Sequence, residues 1–320
     1  MSEKPPWKQN LWGVGLEFER IGGGVNNRTE LGMAEGILLG HAMVQRLADA
    51  LGVRAFFIKG PPSVVQGLRR PKESVDIDVF VEFSNLGPLL RALQQRGWEE
   101  RPMEEDARIF PTHSATLHHP NWPCCIDVHF CFPGMEEQVA TCFEIMWTHT
   151  VKLQLAGQEV RVPSKLLGIL ILALHALRAP HLVVSKQDLE YLGQVAKDQL
   201  HVPSLIELAA ATGSLAAVRP FLEPLLTPDT EIAWPEQSIE WRTRIASKEA
   251  GSARLIAVLG APWRAKIRML VQGVFPPPEA FLNMNIYADM TLMGRLRQHG
   301  IRWRRFLSAL PRTLRDIRKI

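Results

Sequence analysis

Asp76-Ile77-Asp78 places two carboxylates one residue apart inside an otherwise apolar run, Val75 to Val81. On a strand alternate side chains share a face, so Asp76 and Asp78 lie on one face while Val75, Ile77 and Val79 lie on the other. Carboxylates about 7 Å apart along a strand repel each other. A divalent cation holding a polyphosphate is the usual reason for such an arrangement. A second apolar run, Cys124 to Phe132, carries Asp127 and His129 on one face and Ile126, Val128 and Phe130 on the other. An aspartate in so apolar a strand needs a partner or a task, and beside the first strand it would be the third carboxylate of a metal site. The turn Lys59-Gly60-Pro61-Pro62-Ser63 is the third candidate. Glycine lets a ligand approach the backbone, and a helix covering about Ser63 to Leu68 would offer unpaired N–H groups to a phosphate. Lys59 would add a full charge there; the alternative is an ordinary strand-to-helix turn with a solvated lysine.

The elements that must hold these residues follow from periodicity. Apolar residues at helical spacing (Leu38, Leu39, Met43, Leu47, Leu51) predict a helix over Met33 to Leu51, stopped by Gly52. Val53 to Ile58 reads as a strand, Asn85 to Arg96 as a helix ended by Gly97, and Trp98 to Arg101 as a short strand. His113 to His118 and Cys124 to Phe132 are two further strands about the turn Pro120-Asn121-Trp122-Pro123. Lys152 to Val162 alternates around Ala156-Gly157 and predicts a hairpin. Helices are then expected at about Ser164 to Leu177, Ser185 to Ala196 and Pro203 to Ala211, with more through Gln272. His175, in a nearly all-apolar helix, reads as a hydrogen-bonded core histidine, and Asp188 as a residue favouring a helix dipole.

Strand, Lys-Gly turn, helix, D-x-D strand, helix and a later I-D-x-H strand follow one another in an order that resembles the polymerase-β-like nucleotidyltransferase superfamily. The nearest likeness is its branch of uncharacterised bacterial nucleotidyltransferase family proteins. The matching stretches are IKGPPSVVQGLRRPKESVDIDVFVE, CCIDVHF, and the helical pair PSKLLGILILALHAL and KQDLEYLGQVA, about residues 35 to 200. The resemblance implies an α/β (α+β) fold, a small mixed sheet followed by a helical domain. Taken with the unperiodic start around Pro5, Pro6 and Gly22-Gly23-Gly24 and the basic end, the expected organisation is an irregular lead-in at 1–32, a nucleotidyltransferase domain at 33–150, and a mainly helical domain with a basic tail at 151–320. The resemblance further implies that Asp76, Asp78 and Asp127 hold Mg²⁺, or Mn²⁺ in its place, and that Lys59, Gly60, Ser63, Arg69 and Arg70 contact a nucleoside triphosphate. Two such ions clamp the attacking and leaving oxygens as the α-phosphorus is transferred and pyrophosphate leaves. Asp127 would also take the proton of the acceptor hydroxyl, with His129 orienting it. Two departures stand out: the wider superfamily has Gly-Ser where this chain has Lys59-Gly60, and Val75 replaces a glycine common just before the first aspartate.

Composition bounds the partners. The chain has 320 residues, 46% of them hydrophobic, and a formal net charge of +4, which suits a polyanionic ligand but is too weak to imply nucleic acid by itself. Cys124, Cys125, Cys131 and Cys142 lack zinc-ribbon spacing and read as structural thiols of a reducing compartment. The start MSEKPPW has no signal region, and Leu166 to Leu177 is too short to span a bilayer, so a cytoplasmic protein is expected. In the tail, Arg295, Arg297, Arg302, Arg304, Arg305, Arg312, Arg315, Arg318 and Lys319 are interleaved with Ile301, Phe306, Leu307 and Leu310. Such a segment binds an RNA backbone, an anionic membrane surface or an acidic partner, or packs by its apolar side as a solvated helix. The expected activity is transfer of a nucleotide to an unidentified hydroxyl on a small molecule, a peptide or protein, or an RNA end. The alternatives are a catalytically inactive nucleotide-binding or interaction module on the same fold, and a helical regulator in which D-x-D is incidental.

Overall fold

The computed structural model describes residues 31–101, 110–247, 255, 258–259, 262–274 and 289–317. The lead-in with Gly22-Gly23-Gly24, the stretch FPPPEAFLNMN with Pro276-Pro277-Pro278, and Arg318 and Lys319 lie outside the described residues.

Helix α1, Met33–Leu51, buries Ile37, Val44, Leu47 and Ala48 along one stripe and ends at Gly52, whose φ of 64° only glycine adopts freely. The chain then lays down β1, Ala55–Phe57, whose three residues are all buried. A short helix α2, Pro61–Val65, and a loop lead to β2, Asp76–Val81. Helix α3, Phe83–Gln94, the two-residue β3, Glu99–Glu100, and β4, Ser114–His118, precede β5, Cys125–His129. The five strands form one mixed sheet in the order β1-β2-β5-β4-β3. Strands β2 and β5 are parallel and every other pairing in this sheet is antiparallel. Parallel neighbours need a long crossover, supplied here by α3, β3 and β4.

Alternation along the strands divides the sheet into two faces. Phe57, Ile77, Val79, Val81, Ile126 and Val128 belong to a core shared with Ile37 and Val44 of α1 and Leu89 and Leu93 of α3. Phe56, Ile58 and Phe80 pack on the opposite side with Phe132, Phe143 and the helices that follow. Among those helices α4, Val139–Thr148, was not expected from the sequence; it buries Cys142, Phe143 and Met146. The hairpin of β6, Thr150–Leu155, and β7, Gln158–Pro163, turns on Ala156 (φ 49°) and Gly157 (φ 74°), the left-handed pair of a two-residue loop.

Helix α5, Lys165–Leu177, is capped by Ser164, whose hydroxyl accepts from the Leu167 N–H, and is buried nearly all round. It packs with α6, Val183–Gln199, α7, Val202–Ala211, and α8, Leu215–Leu222. Helices α9, Ile239–Ala246, α10, Trp263–Val274, and α11, Leu292–Ile317, complete the described chain. The tail is thus a helix: Ala309 and Thr313 of α11 are buried and Arg302 donates to the Gly273 carbonyl of α10, while Leu292, Leu296 and Leu307 are exposed. Among the described residues no helix is long and apolar enough to cross a membrane. All four cysteines are free thiols, and burial pushes Cys124 and Cys131 up to about 11 and Cys142 up to about 12.

Candidate active site

Register brings the acidic residues together. Along the parallel pair β2–β5, Asp78 stands opposite Asp127 and Asp76 opposite Cys125. Because Asp76, Asp78 and Phe80 share a face, the carboxylates look toward the helical half of the molecule, the side on which Phe80 packs with α5. The ligand-type atoms of Asp78, Asp127 and His129 all lie within 4.8 Å of one another, the grouping among the described residues that could hold a metal ion. Asp76 is outside it. The strand rise explains why: the residue two places back from Asp78 begins its strand about 7 Å away, at the rim rather than the centre. His129, expected only to orient Asp127, belongs to the group instead. Its Nε2 lies 2.9 Å from Asp78 Oδ1, so it pairs with Asp78 rather than with its own strand's Asp127.

Lys59 is not a solvated lysine. Its Nζ lies 2.7 Å from Asp78 Oδ1, and the two side chains are only 11% and 5% exposed. Burial by itself would raise the Asp78 carboxyl, but the Lys59 charge, and then His129, outweigh it and hold the group well below the usual carboxylate range. Asp76 behaves in the opposite way: burial first, and the charge of Asp78 second, push its carboxyl up to about 7. Asp127 Oδ1 is buried with no hydrogen-bond partner among the described residues. The centre therefore contains one carboxylate satisfied by cations, one with an open oxygen, and one poised near neutrality.

The turn before α2 explains its residue types. Gly60 has φ 73° and ψ −147°, a conformation essentially closed to residues with a Cβ. A Cβ there would also meet Ser74 Oγ at 3.3 Å. Helix α2 begins at Pro61, two residues earlier than the expected Ser63, because proline is pre-organised for the first helical position. Ser63 is buried within it. Gly60→Ala is expected to destabilise the fold by about 1–3 kcal/mol, read as a lower chemical-denaturation midpoint with an unchanged slope. An unaltered midpoint would mean the turn relaxes without strain.

Arg69 and Arg70 lie toward α6: Arg69 Nη2 is 3.9 Å from Asp188 Oδ2, and the Arg70 guanidinium lies over the Tyr191 ring at 5.4 Å. Asp188 thus has an ionic partner beyond its helix dipole. Tyr191 ties the same segment down by donating to the Gly67 carbonyl at 3.0 Å. Several residues around the centre carried no signal in the sequence. His41 of α1 is buried against Phe57, with Nδ1 bonded to the Ile37 carbonyl at 2.7 Å and Nε2 without a partner beside Gly60. Burial lowers it to about 4, so it is neutral. His175 Nδ1 is buried and unpaired, unlike the satisfied core histidine expected, and the group sits close enough to Lys59 and Asp78 to sense both charges. His113, just before β4, has its ring 5.8 Å from that of His129 and tilted to it by 36°.

No protein-family model and no curated protein matches this chain. Among solved structures it is similar to the antibiotic-resistance factor ANT(2'')-Ia in complex with adenylyl-2''-tobramycin, at 17% identity and a TM-score of 0.37, covering 56% of this chain and 97% of that one. It is similar also to an antigenic nucleotidyltransferase-like protein from Paracoccidioides brasiliensis, at 13% identity and a TM-score of 0.38, covering 60% and 93%. A tRNA nucleotidyltransferase complexed with a primer tRNA and an incoming ATP analogue matches at 15% identity and a TM-score of 0.23, covering 80% and 86%. Of these three, one is described as a nucleotidyltransferase, one as nucleotidyltransferase-like and one as an antibiotic-resistance factor.

Proposed function

We propose that this chain moves a nucleoside monophosphate from a nucleoside triphosphate to an acceptor hydroxyl at a divalent-cation site built on Asp78 and Asp127, with Asp76 at its rim. The observation that carries this reading is the pairing of Asp78 with Asp127 across two parallel strands, with a buried Asp127 oxygen left open. An open carboxylate oxygen is a hard donor and suits Mg²⁺, or Mn²⁺ in its place; of the two His129 nitrogens, Nε2 is engaged by Asp78 and Nδ1 is buried with no partner among the described residues. When bound, such cations neutralise charge growing on the transferred phosphorus and on the leaving pyrophosphate.

The remaining work belongs to the chain. Lys59 neutralises Asp78 while no cation is there, and its charge is available to the phosphates once one is. The triphosphate lies along the Gly60–Ser63 turn, where glycine admits close approach, and reaches Arg69 and Arg70, which lie toward α6. Asp127 receives the proton of the acceptor hydroxyl on the carboxylate oxygen that the cation leaves free. The acceptor is a small hydroxylated molecule, a peptide or protein side chain, or an RNA end, the last reached through the basic helix α11. Free thiols fit a reducing cytoplasm.

The test is incubation of the purified protein with each labelled nucleoside triphosphate, with Mg²⁺ and with chelator, reading bound nucleotide and released pyrophosphate. Metal-dependent binding with pyrophosphate release in the presence of an acceptor supports transfer. Metal-dependent binding without release points to a binding module, and metal-independent binding ends the reading. A pH dependence should accompany it. Asp76 is half protonated near pH 7 and must lose its proton to face a cation, so binding strengthens as pH rises. Between pH 6 and pH 8 the ionised fraction, and with it the affinity for the Mg²⁺–triphosphate complex, should rise about tenfold, with release of a proton seen by calorimetry in two buffers. A flat profile would mean that Asp76 takes no part.

A further inference from the structure

A half-buried basic corner stands on one side of the carboxylates. Arg178 caps the end of α5, and the described carboxylates that draw on its charge are Asp78 and Asp127, not Asp76. Among the described residues none pairs with its guanidinium. Arg244 of α9 reaches the same place: its guanidinium lies 4.2 Å over the Phe110 ring, one nitrogen bonds Glu240 at 2.9 Å, and its Nε is buried without a partner. His113 completes the corner: its ring lies 5.8 Å from that of His129 and tilted to it, and burial and then Arg178 lower it to about 3, so it is neutral there and offers an N–H rather than a charge. Sheet order fixes the side. Lys59 and Gly60 follow β1, and Lys72 senses both Asp76 and Arg69, whereas His113 leads into β4, beyond β5. Positive charge thus flanks the carboxylates twice, on the Asp76 side and on the Asp127 side.

Two guanidinium groups sharing a half-buried corner repel each other; Glu240 pairs with one nitrogen of Arg244, and among the described residues no carboxylate pairs with Arg178. Burial and then Arg244 lower Arg178 to about 10, so it remains a cation at neutral pH. Such an arrangement is costly unless an anion joins it, and paired arginines are the side chains best shaped to grip a carboxylate or phosphate by two parallel bonds. We infer that Arg178, Arg244 and His113 bind an anionic group, carboxylate or phosphate, of the accepting molecule, and so select an acceptor that is itself an anion. This rests on the transferase reading, in which Asp127 faces the acceptor; a triphosphate on the Gly60 side leaves this corner to the second substrate.

The experiment titrates inorganic phosphate, and separately acetate, into the full-length protein saturated with Mg²⁺ and a non-hydrolysable triphosphate analogue. Wild type is expected to bind one equivalent of at least one of the two, and the stronger binder tells phosphate from carboxylate. Arg178→Met should weaken that binding at least tenfold and change analogue affinity by less than twofold, with Arg178→Lys intermediate because it keeps charge but not the fork. Arg244→Met gives the same reading if Arg178→Met does not fold. The inference is overturned if neither anion binds, or if Arg178→Met weakens the analogue as much as the anion, which would give the arginines to the triphosphate. Failure of the transferase reading looks different: wild type then shows no Mg²⁺-dependent analogue binding. Titration of the protein alone decides the corner in that case, since Arg178-dependent anion binding keeps it and no binding ends it.

Discussion

Asp127→Asn is expected to reduce nucleotide transfer by about a thousand-fold or more while leaving the thermal unfolding midpoint nearly unchanged. The loss follows from the stabilisation of several kcal/mol that a cation provides to a phosphoryl-transfer transition state, at roughly tenfold per 1.4 kcal/mol. The retained stability follows from what Asp127 does not do. Its Oδ1 has no partner among the described residues, so no native bond is broken. The asparagine amide leaves a polar group underused, costing about 1–3 kcal/mol, but removes a negative charge directly opposite Asp78, which offsets that cost. Asp78→Asn should differ: it also abolishes transfer, but strands Lys59 as a buried cation and lowers the midpoint. Turnover by single-turnover assay, beside scanning calorimetry, separates the two variants. Wild-type turnover in Asp127→Asn would remove this carboxylate from the mechanism, and an equal loss of stability in both would show that the two aspartates are structural equivalents.

How far the sequence anticipates this site depends on the kind of signal each residue leaves. Alternation puts Asp76 with Asp78 and Asp127 with His129 because a strand's period is local. Which residue faces which across two strands is not local. The pairing of Asp78 with Asp127, and of Phe80 with His129, depends on register fixed by burial of Ile77, Val79, Ile126 and Val128 against α1 and α3. The same tertiary choice sends Lys59 to Asp78 instead of solvent and leaves Asp76 at the rim. The early start of α2 was legible in principle, since Pro61 and Pro62 suit the first helical turn better than Ser63. Helix α4 was harder: Val139–Thr148 mixes β-branched and aromatic residues and stops after three turns, where period and propensity disagree. Arg178, Arg244 and His113 come from a helix end, a later helix and a loop. No spacing links them, and only folding reveals that they share a corner with the carboxylates.

Lys59→Met is expected to cost about 3–5 kcal/mol of stability in metal-free buffer, the usual consequence of leaving one member of a buried ion pair alone. At about 2–4 °C per kcal/mol for a domain somewhat smaller than this one, the midpoint should fall by roughly 10 °C. Part of the cost is met by protonation. Without Lys59, burial is opposed at Asp78 only by His129, so its carboxyl rises, and the stability that the depressed carboxyl gives wild type above the unfolded value, lost as pH falls through the acid range, is smaller in the variant. The informative measurement is the response to Mg²⁺. In wild type a cation arriving at Asp78 must displace a lysine already 2.7 Å from the same oxygen. In the variant only the His129 nitrogen, 2.9 Å away, shares that oxygen, and the cation replaces the missing charge. Mass action then adds about 2.7 kcal/mol at a hundred times the dissociation constant. Millimolar Mg²⁺ should therefore raise the midpoint of Lys59→Met by several degrees more than that of wild type, while triphosphate affinity stays below wild type because the lysine is also lost to the phosphates. Equal Mg²⁺ shifts in the two proteins would show that Lys59 and the cation do not share Asp78, and would leave the lysine a structural neighbour of the site.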